Sequence, residues 1–176
     1  DEGMDTGDIL ICEKVDIDKN ETTGELWDRL SVIGGKVLVK TLNKIKDGTI
    51  TRTKQGDKYT MAPMLNKELS KINWQEKTSL EIKNLTRGLN PIMGTYSFLD
   101  GKKYKFWSVE IAEGNSIENA NEEAGTILIS NEKQGLYVKT KDGVLKINII
   151  QPENSKKMNV CDFLRGNKLE VGKKFE

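Results

Sequence analysis

A chain of 176 residues can bury one good core, or one small domain and part of another, so a single large domain is not required. With 36% hydrophobic and 31% charged residues, and no apolar run of bilayer-crossing length, the composition describes an ordinary soluble protein and excludes membrane insertion. The net charge of +1 hides an acidic stretch at Asp1–Asp18 and lysines crowded from Lys133 onward. Such a basic module suits a polyanionic partner, although on charge alone a solvated lysine surface is the simpler reading.

The first residues, Asp1-Glu2-Gly3-Met4-Asp5, carry neither the basic nor the apolar region of a signal peptide and do not begin with methionine, which leads us to expect a segment upstream. Cys12 and Cys161 stand far apart, which fits a reducing cytosol. Two isolated cysteines and no histidine cannot supply the ligands of a zinc site, so no metal is expected.

Ile9, Ile11, Val15 and Ile17 alternate in a way that predicts a strand over 9–17. Thr22-x-x-Glu25 is a capping box, followed by Leu26, Leu30, Ile33, Val37, Leu38, Leu42 and Ile45 at helical spacing until Asp47-Gly48. Gly34-Gly35 inside this run suggests close packing or a local kink. A strand and a helix cannot bury their own apolar faces, so residues 1–48 read as the last strand-helix unit of a larger α/β domain. Residues 49–72 lose periodicity and read as a linker. A second capping box, Thr78-x-x-Glu81, opens a helix that Asn90-Pro91 ends. Strands are predicted over Thr95–Leu99, Lys102–Ile111, Gly125–Ser130, Tyr137–Lys141 and Val144–Ile150, with hairpin turns at Asp100-Gly101 and Asp142-Gly143 and a polar loop at Asn115–Glu123. Five or six strands with one helix in residues 73–176 suggest a small barrel of the oligonucleotide-binding type, with a sandwich as the alternative. Trp74, Tyr104 and Trp107 sit among apolar neighbours and read as core aromatics rather than base-stacking platforms.

Asp5-Thr6-Gly7-Asp8 places two carboxylates on a glycine-containing loop, where the commoner role of aspartate is to cap its own turn. Read from Asp1 to Leu10, however, the loop resembles the one that closes the catalytic domain in the methionyl-tRNA formyltransferase family. Ala62-Pro63, Lys67-Glu68 and Ile72-Asn73-Trp74 resemble that family's linker, and Arg87-Gly88-Leu89-Asn90-Pro91 resembles the opening of its C-terminal domain. Gln151-Pro152, Lys156-Lys157-Met158 and Asp162-Phe163-Leu164-Arg165-Gly166 match its tail, which is not expected in sugar-nucleotide formyltransferases.

The resemblance implies an α+β chain: the terminal strand-helix unit of a Rossmann-like domain (1–48), a linker (49–72) and an OB-like barrel that binds tRNA (73–176). It implies transfer of formyl from 10-formyltetrahydrofolate to the α-amino group of initiator methionyl-tRNA, in the cytoplasm, by an enzyme that is monomeric when full length. Asp5 falls at the family's catalytic aspartate, which works with an Asn and a His on the oxyanion and its proton. Since the chain has no histidine, it is expected to be inactive alone. The implied tRNA contacts are Arg52, Lys54, Lys67, Lys71, Arg87, Lys139, Lys141, Lys156, Lys157 and Arg165. Met64, Ile92-Met93 and Asn154-Ser155 depart from the family pattern. Two alternatives stand beside this reading, a non-catalytic RNA-binding module and a fragment of a sugar-nucleotide formyltransferase.

Overall fold

The computed structural model describes residues 2–56, 58–112 and 121–176, so residues 115–120 of the expected polar loop lie outside the described residues. The chain forms two compact units, Asp1–Met64 and Leu65–Glu176.

The first unit is organised by one helix, α1 (Thr23–Lys46), which starts where the sequence places it. Thr22 Oγ1 accepts from the Glu25 backbone N–H while the Glu25 carboxylate accepts from the Thr22 N–H, completing the capping box. The helix runs unbroken through Gly34-Gly35, and a Cβ on either glycine would meet nothing within 4 Å, so neither close packing nor a kink explains them. None of its residues is buried, and Trp27, Leu38 and Leu42 are exposed. The strand expected over 9–17 does not form. Only Ile9 pairs, through reciprocal hydrogen bonds of 2.8 and 2.9 Å with Thr53. An alternating apolar segment needs neighbouring strands to satisfy its backbone, and among the described residues Thr53 is the partner available. Among the described residues no helix is long and apolar enough to cross a membrane.

The second unit packs helix α2 (Ser79–Gly88) and the short helix α3 (Val160–Gly166) against an antiparallel sheet. Its strands are β1 (Thr95–Leu99), β2 (Lys102–Ile111), β3 (Ile127–Asn131), β4 (Gly135–Lys139), β5 (Val144–Pro152) and the two-residue β6 (Met158–Asn159). They lie in the order β1-β2-β5-β4-β3, with β6 beside β5. The helix α3 was not foreseen, although Val160, Phe163 and Leu164 are buried at helical spacing behind an Asn159 cap.

The two Asp-Gly turns differ. Asp100 (φ 50°) and Gly101 (φ 74°) form the two-residue turn between β1 and β2, as expected. The β4–β5 connection is longer, spanning residues 140–143, and Asp142 is spent elsewhere. Its carboxylate accepts from the backbone N–H (2.8 Å) and hydroxyl (3.1 Å) of Ser79, tying the hairpin to the first turn of α2. Burial pushes the Asp142 pKa up, but these bonds and one from Thr140 outweigh it and hold the carboxyl below its usual range.

The sheet path does not close on itself, since β1 and β3 are not paired. The last residues bridge the two edges instead. Phe98 and Glu176 exchange two backbone hydrogen bonds at the β1 edge, while Phe175 N–H donates to Gly125 (2.9 Å) and Ile127 N–H to Lys173 (2.8 Å) beside β3. Phe175 thereby enters the core, within 6.1 Å of the rings of Trp74, Tyr104 and Phe106. Trp74 and Tyr104 are core aromatics, as expected, and the Trp74 indole N–H donates to Ser97 Oγ.

Candidate nucleic-acid interface

In the first unit, Asp5 lies exposed on a loop at φ 56°, a conformation that aspartate tolerates better than most residues. The amide of Gln55 donates to the carbonyls of Asp5 (2.8 Å) and Gly7 (2.7 Å), and Thr6 Oγ1 donates to Gly3. The loop is thus held by its backbone carbonyls, and among the described residues the Asp5 carboxylate has no hydrogen-bond or ion-pair partner. Arg52 and Lys54 flank Thr53, the residue that pairs with Ile9, and both are exposed.

In the second unit the eight remaining expected cations separate into groups, and Lys156 is exposed beside Lys157. Lys67 caps the 3-10 turn Glu68–Ser70, and Lys71 follows it, pairing in parallel with Tyr96. Arg87 sits half-buried in the last turn of α2 and donates to Asn84. Arg165 is joined to Asp162 at 2.8 Å, so part of its charge is neutralised locally. Lys141 is exposed in the β4–β5 turn, and Lys139 ends β4 on the same strand face as Tyr137.

Lys157 makes the most specific contact, its Nζ standing 3.1 Å from the centroid of Trp107. Trp107 is buried by this cover, its indole N–H donating to Gln151 and its ring lying so near Gly94 that a Cβ there would stand 3.0 Å away. Partial desolvation at this spot, followed by the charge of Lys105, pulls the Lys157 ammonium below the ordinary lysine range.

The structure also sets lysines that the family motifs do not include, Lys103, Lys105 and Lys146, beside aromatic rings. Strand pairing aligns Tyr96, Lys105 and Gln151 in one row across β1, β2 and β5, with Phe98 and Lys103 in the next. Lys103 Nζ lies 3.7 Å from the centroid of Tyr96, Lys105 Nζ 5.6 Å from that of Trp107, Lys71 Nζ 5.7 Å from that of Phe98 and Lys146 Nζ 5.9 Å from that of Tyr137. Side chains on a strand return to one face every second residue, so Lys103-Tyr104-Lys105 carried the signal: lysines outward, Tyr104 inward. What this face can do chemically is offer several ammonium groups, positioned on ring faces, to an anion.

The formyl transferase C-terminal domain family matches residues 64–168. Methionyl-tRNA formyltransferases of Lachnospira eligens and Geotalea daltonii are 41% and 42% identical to the chain, over 98% and 99% of its length. The chain spans only 55% and 54% of those two relatives. Among solved structures, HypX from Aquifex aeolicus aligns with 100% of the chain and 34% of its own length, at a TM-score of 0.69 and 16% identity. WlaRD, a sugar 3N-formyl transferase, aligns with 89% of the chain and 53% of its own length, at a TM-score of 0.57 and 23% identity. At these identities the two structures speak for the fold alone. With residues 64–168, which hold α2, α3 and the strands of the sheet, matching it, the chain belongs to the formyl transferase C-terminal domain family.

Proposed function

We propose that the chain is the rear part of a methionyl-tRNA formyltransferase, carrying one catalytic carboxylate and the unit that holds tRNA. The observation that carries this reading is identity of about 40% to enzymes of that name across nearly the whole chain. Residues 1–48 are read as the end of a Rossmann-like catalytic domain, a reading supported by an α1 whose apolar side chains lack cover within its own unit. Residues 49–72 are read as the linker. Residues 73–176 are read as an OB-like barrel whose open edges the C-terminal residues bridge, supported by the hydrogen bonds of Phe175 and Glu176.

In the proposed reaction, in the cytoplasm, the α-amino group of initiator methionyl-tRNA attacks the formyl carbon of 10-formyltetrahydrofolate; the tetrahedral oxyanion then collapses, the bond from the formyl carbon to N10 breaks, and N10 takes up a proton as tetrahydrofolate leaves. Asp5 holds a histidine in its charged form and helps remove a proton from the methionyl ammonium, directly or through water, so that the free amine can attack. That histidine must come from other polypeptide, because this chain contains no histidine, and its partner asparagine is read as coming from the same place. The folate pocket is read as built mostly from other polypeptide, with Asp5 near it, so the chain's own part is this carboxylate and tRNA binding. A non-catalytic RNA-binding module is favoured as second reading by the same absence of histidine. The full-length enzyme is read as a monomer.

The test is binding of tRNA by the purified chain between 50 and 200 mM salt, with a formyl-transfer assay alongside. Affinity should fall linearly on a logarithmic salt scale, by roughly 0.9 per phosphate contact, and no turnover should occur. Turnover by the chain alone, or preference for a nucleotide sugar over tRNA, would contradict the proposal.

A further inference from the structure

We propose that the outward face of β1 and β2, centred on Lys103, Lys105 and Lys157, receives the RNA phosphates, with Tyr96 and Trp107 holding the ammonium groups in place. This deepens the tRNA-binding reading and rests on it. Three cations elsewhere in this unit are matched by carboxylates: Lys173 lies 2.7 Å from Asp100, Lys174 2.6 Å from Glu123 and Arg165 2.8 Å from Asp162. On the β1–β2 face the pattern changes. Among the described residues Lys103, Lys105 and Lys157 have no ion pair, and their neighbours are rings.

A ring face attracts an ammonium without cancelling its charge, whereas a carboxylate cancels it. A lysine laid on a ring therefore loses side-chain freedom before any ligand arrives and keeps its full charge for one, which reduces the ordering cost of binding. Lys103 and Lys105 are two residues apart on one strand, about 7 Å along the chain, a separation comparable with that of consecutive phosphates on a nucleic-acid strand. Lys157 reaches the same row from the turn before β6, because Trp107 is tied to Gln151, which faces Lys105.

The rings themselves are not base platforms. Trp107 is only 6% exposed, with Lys157 over it and Gly94 against it, and the face of Tyr96 carries Lys103. The surface consequently reads charge and spacing and carries little sequence preference. Acidic residues end the Phe98–Lys103 row, where the Glu153 N–H donates to the Lys103 carbonyl and Glu176 pairs with Phe98, while the row of Tyr96, Lys105 and Gln151 holds none and Glu110 is aligned with Lys146 and Tyr137 farther along β2.

The experiment compares tRNA binding by the 176-residue chain with that of the triple variants Lys103→Gln/Lys105→Gln/Lys157→Gln and Lys103→Arg/Lys105→Arg/Lys157→Arg, across salt. The glutamine triple should bind about tenfold or more weakly near 0.1 M salt, with its logarithmic salt slope reduced by roughly 2 to 3. The arginine triple should keep the slope. Tyr96→Leu, which removes no charge, should weaken binding severalfold at an unchanged slope. If the wild-type chain binds tRNA and the glutamine triple binds equally well with the same slope, the inference is overturned while the proposed function stands. Loss of binding in the arginine triple equal to that in the glutamine triple also overturns it. If the wild-type chain ignores tRNA, or prefers phosphatidylserine vesicles to it, the proposed function fails and this inference with it.

Discussion

Lys157 Nζ stands 3.1 Å from the centre of the Trp107 ring while the same indole donates its N–H to Gln151, so one buried side chain positions both a cation and a strand. Desolvation first, and the charge of Lys105 second, hold the Lys157 ammonium below the ordinary lysine value. Phosphate binding requires the charged form. Affinity for tRNA should thus be complete at pH values below this lowered pKa and should fall as pH rises through it, before the remaining lysines titrate. In Lys157→Arg the group stays charged throughout, and the early fall should vanish from a pH series of dissociation constants.

The seam at the C-terminus gives a stability prediction. Gly125 has φ +93°, and a Cβ on it would stand 2.5 Å from the carbonyl oxygen of Phe175. Gly125→Ala meets both backbone strain and a backbone clash, and should lower stability by roughly 2–4 kcal/mol. Phe175→Ala empties the site among Trp74, Tyr104 and Phe106 and should cost about 3–5 kcal/mol. Urea denaturation of each variant checks the two values, and wild-type midpoints in both would refute the role given to the terminal segment.

Asp142 links a hairpin to a helix start, and its contribution depends on pH. Its folded pKa is depressed, so its stabilisation is present above the unfolded aspartate value and is lost as pH falls through the folded one. Asp142→Ala removes an N-terminal cap from α2 and should cost about 1 kcal/mol at neutral pH. The gap between variant and wild type should shrink in acid, a trend that thermal melts from pH 7 down to about pH 3 would reveal.

Local signals were legible where the chain satisfies itself. Both capping boxes, the β1–β2 turn and the period-two burial of β1, and of β2 as far as the irregularity at Phe106–Ser108, follow from residues close in sequence. The strand expected over 9–17 was not, because a strand exists only through its neighbours and this unit supplies Thr53 alone. Asp142 illustrates a second limit: as a turn residue it looked local, yet its bond to Ser79 spans 63 positions. At the candidate interface, Lys71 and Lys157 were marked by the family motifs, whereas Lys103 and Lys105 were not. Their role emerges once strand pairing sets Tyr96 opposite Lys105 and rings stand beside the ammonium groups, as carboxylates do at Arg165, Lys173 and Lys174.

The central claim is that this chain supplies the rear part of a methionyl-tRNA formyltransferase. Its most direct test joins the chain, in place of the matching portion, to the remaining part of the Lachnospira eligens enzyme, which is 41% identical to it. Formyl transfer from 10-formyltetrahydrofolate to methionyl-tRNA is then measured for the hybrid and its Asp5→Asn variant. The account predicts turnover by the hybrid and a loss of about a hundredfold or more in kcat for the variant, as expected when a residue of the proton-handling group is removed. A well-folded hybrid without formyl transfer, or one indifferent to Asp5→Asn, would contradict it.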